Sequence, residues 1–183
     1  MSALTKEKRF QVMIMPHLDS AFNLARWLTR SDQDAEDIVQ ESYLRAFKFF
    51  DSFHGEDGRA WLLSIVRNTF YTWHQQNKMQ VINTPFEEDL HSIKQEDASL
   101  EQNTNNKPEE MLIQEDNRRL VHQALEALPV EFREVIVMRE LEELSYKQIA
   151  EIMGIPMGTV MSRLGRSRKQ LAEIIALTNR DAL

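Results

Sequence analysis

The chain has 183 residues, of which 42% are hydrophobic and 28% charged, proportions normal for a soluble globular protein of one domain or two small ones. It has no cysteine, which excludes disulfides and thiolate zinc sites, and no apolar run approaching the ~18 residues of a membrane span or forming a signal-peptide core; a cytoplasmic location is expected. The net charge of −7 is local: residues 79–116 hold 2 Lys/Arg against 10 Asp/Glu, whereas the segments on either side are close to neutral.

Helical periodicity dominates from the first residues, and no alternating strand pattern competes with it. Leu18, Ala21, Phe22, Ala25 and Leu28 recur at steps of three and four. Ser31 with Asp34 has capping-box spacing and opens a second helix, whose apolar stripe is Ala35, Ile38, Val39, Ser42 and Ala46, running toward Phe49. After the punctuating DSFHGEDG of 51–58, a third helix lines up Trp61, Leu62, Ile65, Val66, Thr69, Phe70 and Trp73. These three faces can share one core.

Residues 83–108 lose the periodicity and are acidic, amide-rich and poor in apolar side chains, the composition of a linker. From Pro108 the pattern returns. Leu112, Leu120, Ala124, Leu125 and Leu128 mark a helix stopped by Pro129, and Phe132, Val135, Ile136 and Met138 mark another. Ser145 and Gln148 form a second capping pair ahead of Ile149 and Ile152, and that helix ends at Gly154. A last helix starts at Pro156, suited to a first turn, and runs to about Ala176. The expected architecture is all-α: a first helical domain over 1–82, a flexible acidic linker over 83–108 and a second helical domain over 109–183. The Glu140-Leu141-Glu142-Glu143 run reads as a solvated loop that could also face a protein.

The last two helices, joined through Gly154-Ile155, have the form of a helix-turn-helix. At about 100° per residue, Val160, Leu164, Ser167 and Leu171 fall on the packing side. Met161, Ser162, Gly165, Arg166 and Lys169 lie opposite, flanked by Arg163 and Arg168. Ser162 and Arg166 are placed for base edges and the flanking cations for phosphates. A basic run alone is more often a solvated helix face. Set on a capped helix, a glycine turn and a proline-started helix, it points to DNA.

LPVEFREVIVMRELEELSYKQIAEIMGIPMGTVMSRLGRSRKQL (128–171) resembles domain 4 of bacterial sigma factors. DAEDIVQESYLRAFKFF (34–50) resembles region 2.2 of their domain 2, and RAWLLSIVRNTFYTWHQQNK (59–78) its regions 2.3 and 2.4. Two such domains on a short linker are the pattern of the extracytoplasmic-function (group IV) sigma factors. The resemblance implies an initiation subunit that binds core RNA polymerase through the beta prime clamp helices and the beta flap, and it needs no cofactor. Core binding falls on Asp34, Asp37, Gln40, Glu41 and Arg45. Recognition and melting of the −10 element fall on Arg67, Asn68, Tyr71, His74, Gln75 and Lys78, with the 51–58 loop matching the segment that takes a flipped base. Recognition of the −35 element falls on Thr159, Ser162, Arg163, Arg166, Arg168 and Lys169. Many relatives end the −10 helix in arginines, where this chain has HQQNK. The resemblance also implies control by an anti-sigma factor.

A conventional helix-turn-helix regulator with an N-terminal dimerisation or sensing domain explains the second domain but not the motifs of the first. An enzyme is rejected, because the five histidines are scattered without metal-ligand spacing and no phosphate loop or nucleophile motif occurs.

Overall fold

A computed structural model describes residues 5–83 and 108–181. Of the expected linker only the end residues lie within them: Asn83 closes one helix and Pro108 opens the next. All regular structure among the described residues is helical.

The first half is built from α1 (Lys6–Met13), α2 (Leu18–Thr29), α3 (Asp32–Phe49) and α4 (Gly58–Asn83), with 3-10 turns at Met15–His17 and Phe50–Ser52. Most of the apolar steps behave as their spacing predicts: Ala21, Ala25, Leu28, Ala35, Ile38, Ala46, Leu62 and Val66 are buried together, joined by Leu24, whereas Leu18 at the head of its stripe is exposed. One end of a stripe is displaced. Phe49 is exposed and Phe50 is fully buried, because the turn after α3 swings the chain round and seats Phe50 against Phe10, Phe53 and Trp61, with ring centroids at 5.3, 6.2 and 6.3 Å. The short α1, which carries no helical stripe of its own, contributes Phe10 to this group. Ser31 caps α3, its Oγ accepting from the Asp34 amide at 3.3 Å; only that half of the expected capping box is made among the described residues.

Asp57 caps α4 by accepting from the Ala60 amide at 2.9 Å. Gly58 follows it where the chain grazes the end of α1. A Cβ there would lie 2.4 Å from the Met13 carbonyl oxygen, so only glycine fits without backbone movement. Gly58→Ala is expected to cost about 1–3 kcal/mol, as overpacking does, read by urea denaturation.

The second half holds α5 (Pro108–Ala127), α6 (Val130–Ile136), a π-helical turn (Val137–Leu141), α7 (Tyr146–Met153) and α8 (Met157–Asp181). The capping box of α7 is complete: Ser145 and Gln148 exchange bonds of 3.1 and 2.8 Å. Gly154 sits at φ 66°, the left-handed cap that turns α7 into α8 and that glycine adopts at least cost. The α8 helix outruns its expected end by five residues. Val160, Leu164 and Ser167 are buried as their periodicity predicts, and Leu171 packs beside them.

The sequence leaves the relative placement of the halves open, and in the structure they are docked. The α2 and α4 helices of the first half contact α6 and α7 of the second. Arg133 is buried and donates to the carbonyls of Glu126 and Leu128, each at 2.9 Å, and to Leu28 of α2 at 3.5 Å. Burial pulls its guanidinium down to about 10. Trp27 lies 4.8 Å, ring to ring, from His122.

Candidate nucleic-acid and polymerase interfaces

The basic stretch of α8 is presented outward. Thr159, Ser162, Arg166, Arg168 and Lys169 are exposed and Arg163 is half-buried. The stretch begins in the first turns after a tight glycine corner, so these residues stand at the protruding N-terminal part of the helix. Ser162 bonds back to the Gly158 carbonyl at 2.9 Å, which fixes its hydroxyl against the helix until a better partner arrives. Arg168 is paired with Glu140 through Nε at 3.1 Å, leaving Arg163, Arg166 and Lys169 as the cations of this stretch without an ion pair among the described residues. A Cβ at Gly158 or Gly165 would meet open space, so the helix surface is smooth where it faces outward.

On α4 the six singled-out residues divide. Asn68, Gln75 and Lys78 are exposed, whereas Arg67, Tyr71 and His74 are half-buried. Arg67 forms a fork on Glu134 of α6, with Nε to Oε2 at 2.8 Å and Nη2 to Oε1 at 3.0 Å, and its guanidinium stacks 4.6 Å from the Tyr71 ring centroid. Glu134 has no exposed side-chain surface. Burial pushes its carboxyl above the ordinary range against the downward pull of Arg67. Burial also raises the Tyr71 phenol, and Glu134 adds to the rise. His74 stacks on Phe70 at 5.4 Å. Burial first, and Lys78 second, hold its imidazole below the usual value, so near neutral pH it offers an uncharged ring rather than a cation for phosphate.

Beside these residues the 51–57 loop and the start of α4 enclose a hollow of about 520 Å³. Phe53 and Trp61 stack there at 4.7 Å, so Trp61 both packs on the core and lines the hollow. The far wall comes from the second half: Glu151 and Ile152 of α7 line it too, and the capping Gln148 donates to Asp57 at 2.7 Å. Arg59, the second residue of α4, donates through Nη2 to the Glu142 carboxylate at 2.6 Å and to its carbonyl at 2.8 Å. Glu142, expected in a solvated loop, is buried against the chain's own first half. The widened π turn, closed by a Glu142 amide to Val137 carbonyl bond of 3.0 Å, turns it inward.

The third surface lies on α3. Asp37, Gln40 and Glu41 are exposed, Asp34 and Arg45 half-buried, and Arg45 pairs with Glu41 at 2.7 Å one turn away. Next to this polar row is an apolar hollow of about 620 Å³ floored by Phe10, Leu18, Phe22 and Val39, with Leu44 and Phe47 on its rim. Leu44 is 65% and Phe47 39% exposed. Tyr43 lines the hollow as well, its phenol pushed up to about 12 by burial and by Asp19. Leu44 and Phe47 were not among the residues expected to bind. Their signal was two large apolar residues off the buried stripe of an amphipathic helix, a pattern that marks interaction surfaces.

Known proteins carry the same two units in the same order. The family described as Sigma-70 region 2 matches residues 13–79, and that described as Sigma-70, region 4 matches residues 118–171. The ECF RNA polymerase sigma-E factor of Salmonella typhimurium is 32% identical over 170 residues, covering 90% of this chain and 85% of that one. Its Escherichia coli counterpart is 31% identical with the same coverage. The sigma factor SigE of Mycolicibacterium smegmatis is 31% identical over 167 residues, covering 90% of this chain and 60% of its own. Among solved structures, the sigma factor RpoE in complex with the anti-sigma factor NepR from Bartonella quintana superposes with a TM-score of 0.71 at 27% identity, covering 92% of this chain and 98% of that one. CnrH in complex with the cytosolic domain of CnrY shares the fold, with a TM-score of 0.61 at 22% identity. With both sigma regions matched in order and relatives of that identity along nine tenths of its length, the chain belongs to the extracytoplasmic-function RNA polymerase sigma factors.

Proposed function

We propose that this sigma factor docks on the beta prime clamp helices of core RNA polymerase through α3, on the beta flap through its second half, and reads the two promoter elements with α4 and α8. The domains run over 1–82 and 109–183, and the acidic 83–108 segment joins them. Family membership carries the initiation role: sigma factors are non-enzymatic subunits that direct RNA polymerase to promoters. On α3, the polar row of Asp34, Asp37, Gln40, Glu41 and Arg45 suits charge-assisted contacts, and the adjoining apolar hollow suits a partner's aliphatic side chains. On α4, Arg67, Asn68, Tyr71, His74, Gln75 and Lys78 would hold the non-template strand of the −10 element, with a flipped base in the hollow against Trp61.

The observation that carries the −35 assignment is the orientation of α8. It buries Val160, Leu164 and Ser167 and turns Thr159, Ser162, Arg166 and Lys169 outward, as a recognition helix in the major groove requires. Arg163 and Arg168 flank it as phosphate contacts. Run-off transcription with core polymerase on a promoter library tests the whole scheme, and absence of both core binding and promoter-dependent initiation would refute it. Within it, Arg166→Ala is expected to weaken −35-dependent initiation by roughly tenfold to a hundredfold, the worth of one base-reading arginine, with core binding unchanged. An equal loss of core binding would remove the recognition role.

The relatives extend this to regulation. RpoE and CnrH are each solved with a partner bound, NepR being named an anti-sigma factor, and an anti-sigma factor is the partner proposed for this chain. No helix among the described residues is long and apolar enough to cross a membrane, and a polymerase subunit of this kind works in the cytoplasm.

A further inference from the structure

The docked arrangement places two carboxylates of the second half on two arginines of α4: Arg67, one of the residues proposed for the −10 strand, and Arg59, next to the 51–58 loop. Glu134 meets Arg67 with both oxygens, at 2.8 and 3.0 Å. Glu142 meets Arg59 at 2.6 Å. A two-oxygen fork on a guanidinium is how an arginine takes phosphate as well as carboxylate. Between the two pairs, Gln148 holds Asp57 at 2.7 Å, and Glu151 and Ile152 wall the hollow beside Trp61. The outward face of α8 is left free in the same arrangement, with Ser162, Arg166 and Lys169 exposed. The contacts thus fall on one of the two proposed DNA surfaces and spare the other.

We propose that Glu134 and Glu142 form an internal latch that stands in for DNA phosphates on Arg67 and Arg59, so that the free chain is self-inhibited for −10 strand capture until the halves separate. This rests on the assignment of α4 to the −10 element. A strand phosphate and a glutamate cannot occupy one arginine fork together. Capture of the strand therefore competes with docking, and its apparent affinity is reduced by the fraction of chains that are open. Duplex binding by α8 carries no such penalty. The Glu140–Glu143 run, which has no part in reading DNA, acquires a role through Glu142.

The test uses the full chain without polymerase. Because it has no cysteine, Lys8→Cys and Glu173→Cys, both at exposed positions, supply dye sites on the two halves. Energy transfer between them reports separation, and anisotropy of a labelled random-sequence pool of short single-stranded DNA reports strand capture. Glu134→Gln with Glu142→Gln keeps side-chain size and removes both charges. The expected result is lower energy transfer and at least ~10-fold tighter strand binding, as for a latch that leaves about a tenth of the chains open. Glu142→Gln alone, outside the α6 core, should give a smaller gain in the same direction, with circular dichroism confirming that helix content is kept. Unchanged energy transfer, or separation without tighter strand binding, overturns the latch. The underlying assignment fails separately: if holoenzyme carrying Arg67→Gln initiates normally, α4 does not hold the strand through Arg67, whatever energy transfer shows about the halves.

Discussion

Leu44→Asp is expected to abolish stable binding to core polymerase while leaving thermal stability almost unchanged. Leu44 is 65% exposed on the rim of the α3 hollow, so the folded chain gains little from it. If a partner helix covers it, burial of the leucine contributes about 1.5–3 kcal/mol, and an aspartate at the same place must also be stripped of water without a counter-charge. Together these effects amount to at least a hundredfold in affinity, at about 1.4 kcal/mol per tenfold. Arg45→Ala should do far less, because Arg45 already pairs with Glu41 in a part-exposed i,i+4 bridge of the kind worth about 0.3–0.5 kcal/mol. Titration of labelled chain with core enzyme separates the two variants. Equal affinities for Leu44→Asp and the parent chain would show that the apolar hollow takes no part in docking.

The contrast between these neighbours shows what was legible beforehand. The resemblance to region 2.2 points to Asp37, Gln40, Glu41 and Arg45 on α3, but nothing in it marks Leu44 and Phe47, because an exposed apolar residue has no sequence signature unless its helix phase is read against the core. On α8 the phase was readable: Val160, Leu164 and Ser167 recur cleanly, a capping box and Gly154 fix the start, and the outward residues follow. On α4 the stripe was equally clear, yet it gave no hint that Arg67 faces Glu134. That contact joins residues 67 positions apart, across the acidic segment, and local periodicity carries no information on how two amphipathic units meet. Glu142 was hidden for a different reason. Four consecutive residues ELEE look solvated by composition, and only the π turn, which has no composition of its own, carries the third of them inward.

Arg67→Ala is expected to destabilise the docked chain more than Glu134→Gln, by about 3–5 kcal/mol if the halves remain together. The asymmetry comes from burial. Glu134 has no exposed side-chain surface, whereas Arg67 retains 17%. Removing the arginine strands a carboxylate in the interior, while neutralising the glutamate leaves a cation that can still lean toward water. Separation of α6 from α4 would give Glu134 an escape to solvent, so the observed loss is capped by the cost of undocking. For a chain of this size the full loss corresponds to a melting shift on the order of 10 °C. Adding Glu134→Gln to Arg67→Ala should recover most of it, since no unpaired charge then remains, and a double-mutant cycle measures the coupling. The pH dependence has a definite sign. Burial already raises the Glu134 carboxyl above its unfolded value despite Arg67, and loss of Arg67 raises it further. A folded-state pKa above the unfolded one means that stability is regained as pH falls through the folded value toward the ordinary carboxylate range, because the buried group then carries a proton instead of a charge. The deficit of Arg67→Ala relative to the parent chain should therefore shrink on acidification from neutral pH, and that of the double variant should not. A deficit independent of pH in the single variant would mean that Glu134 has reached solvent by undocking, which the energy-transfer pair at Lys8→Cys and Glu173→Cys would register directly.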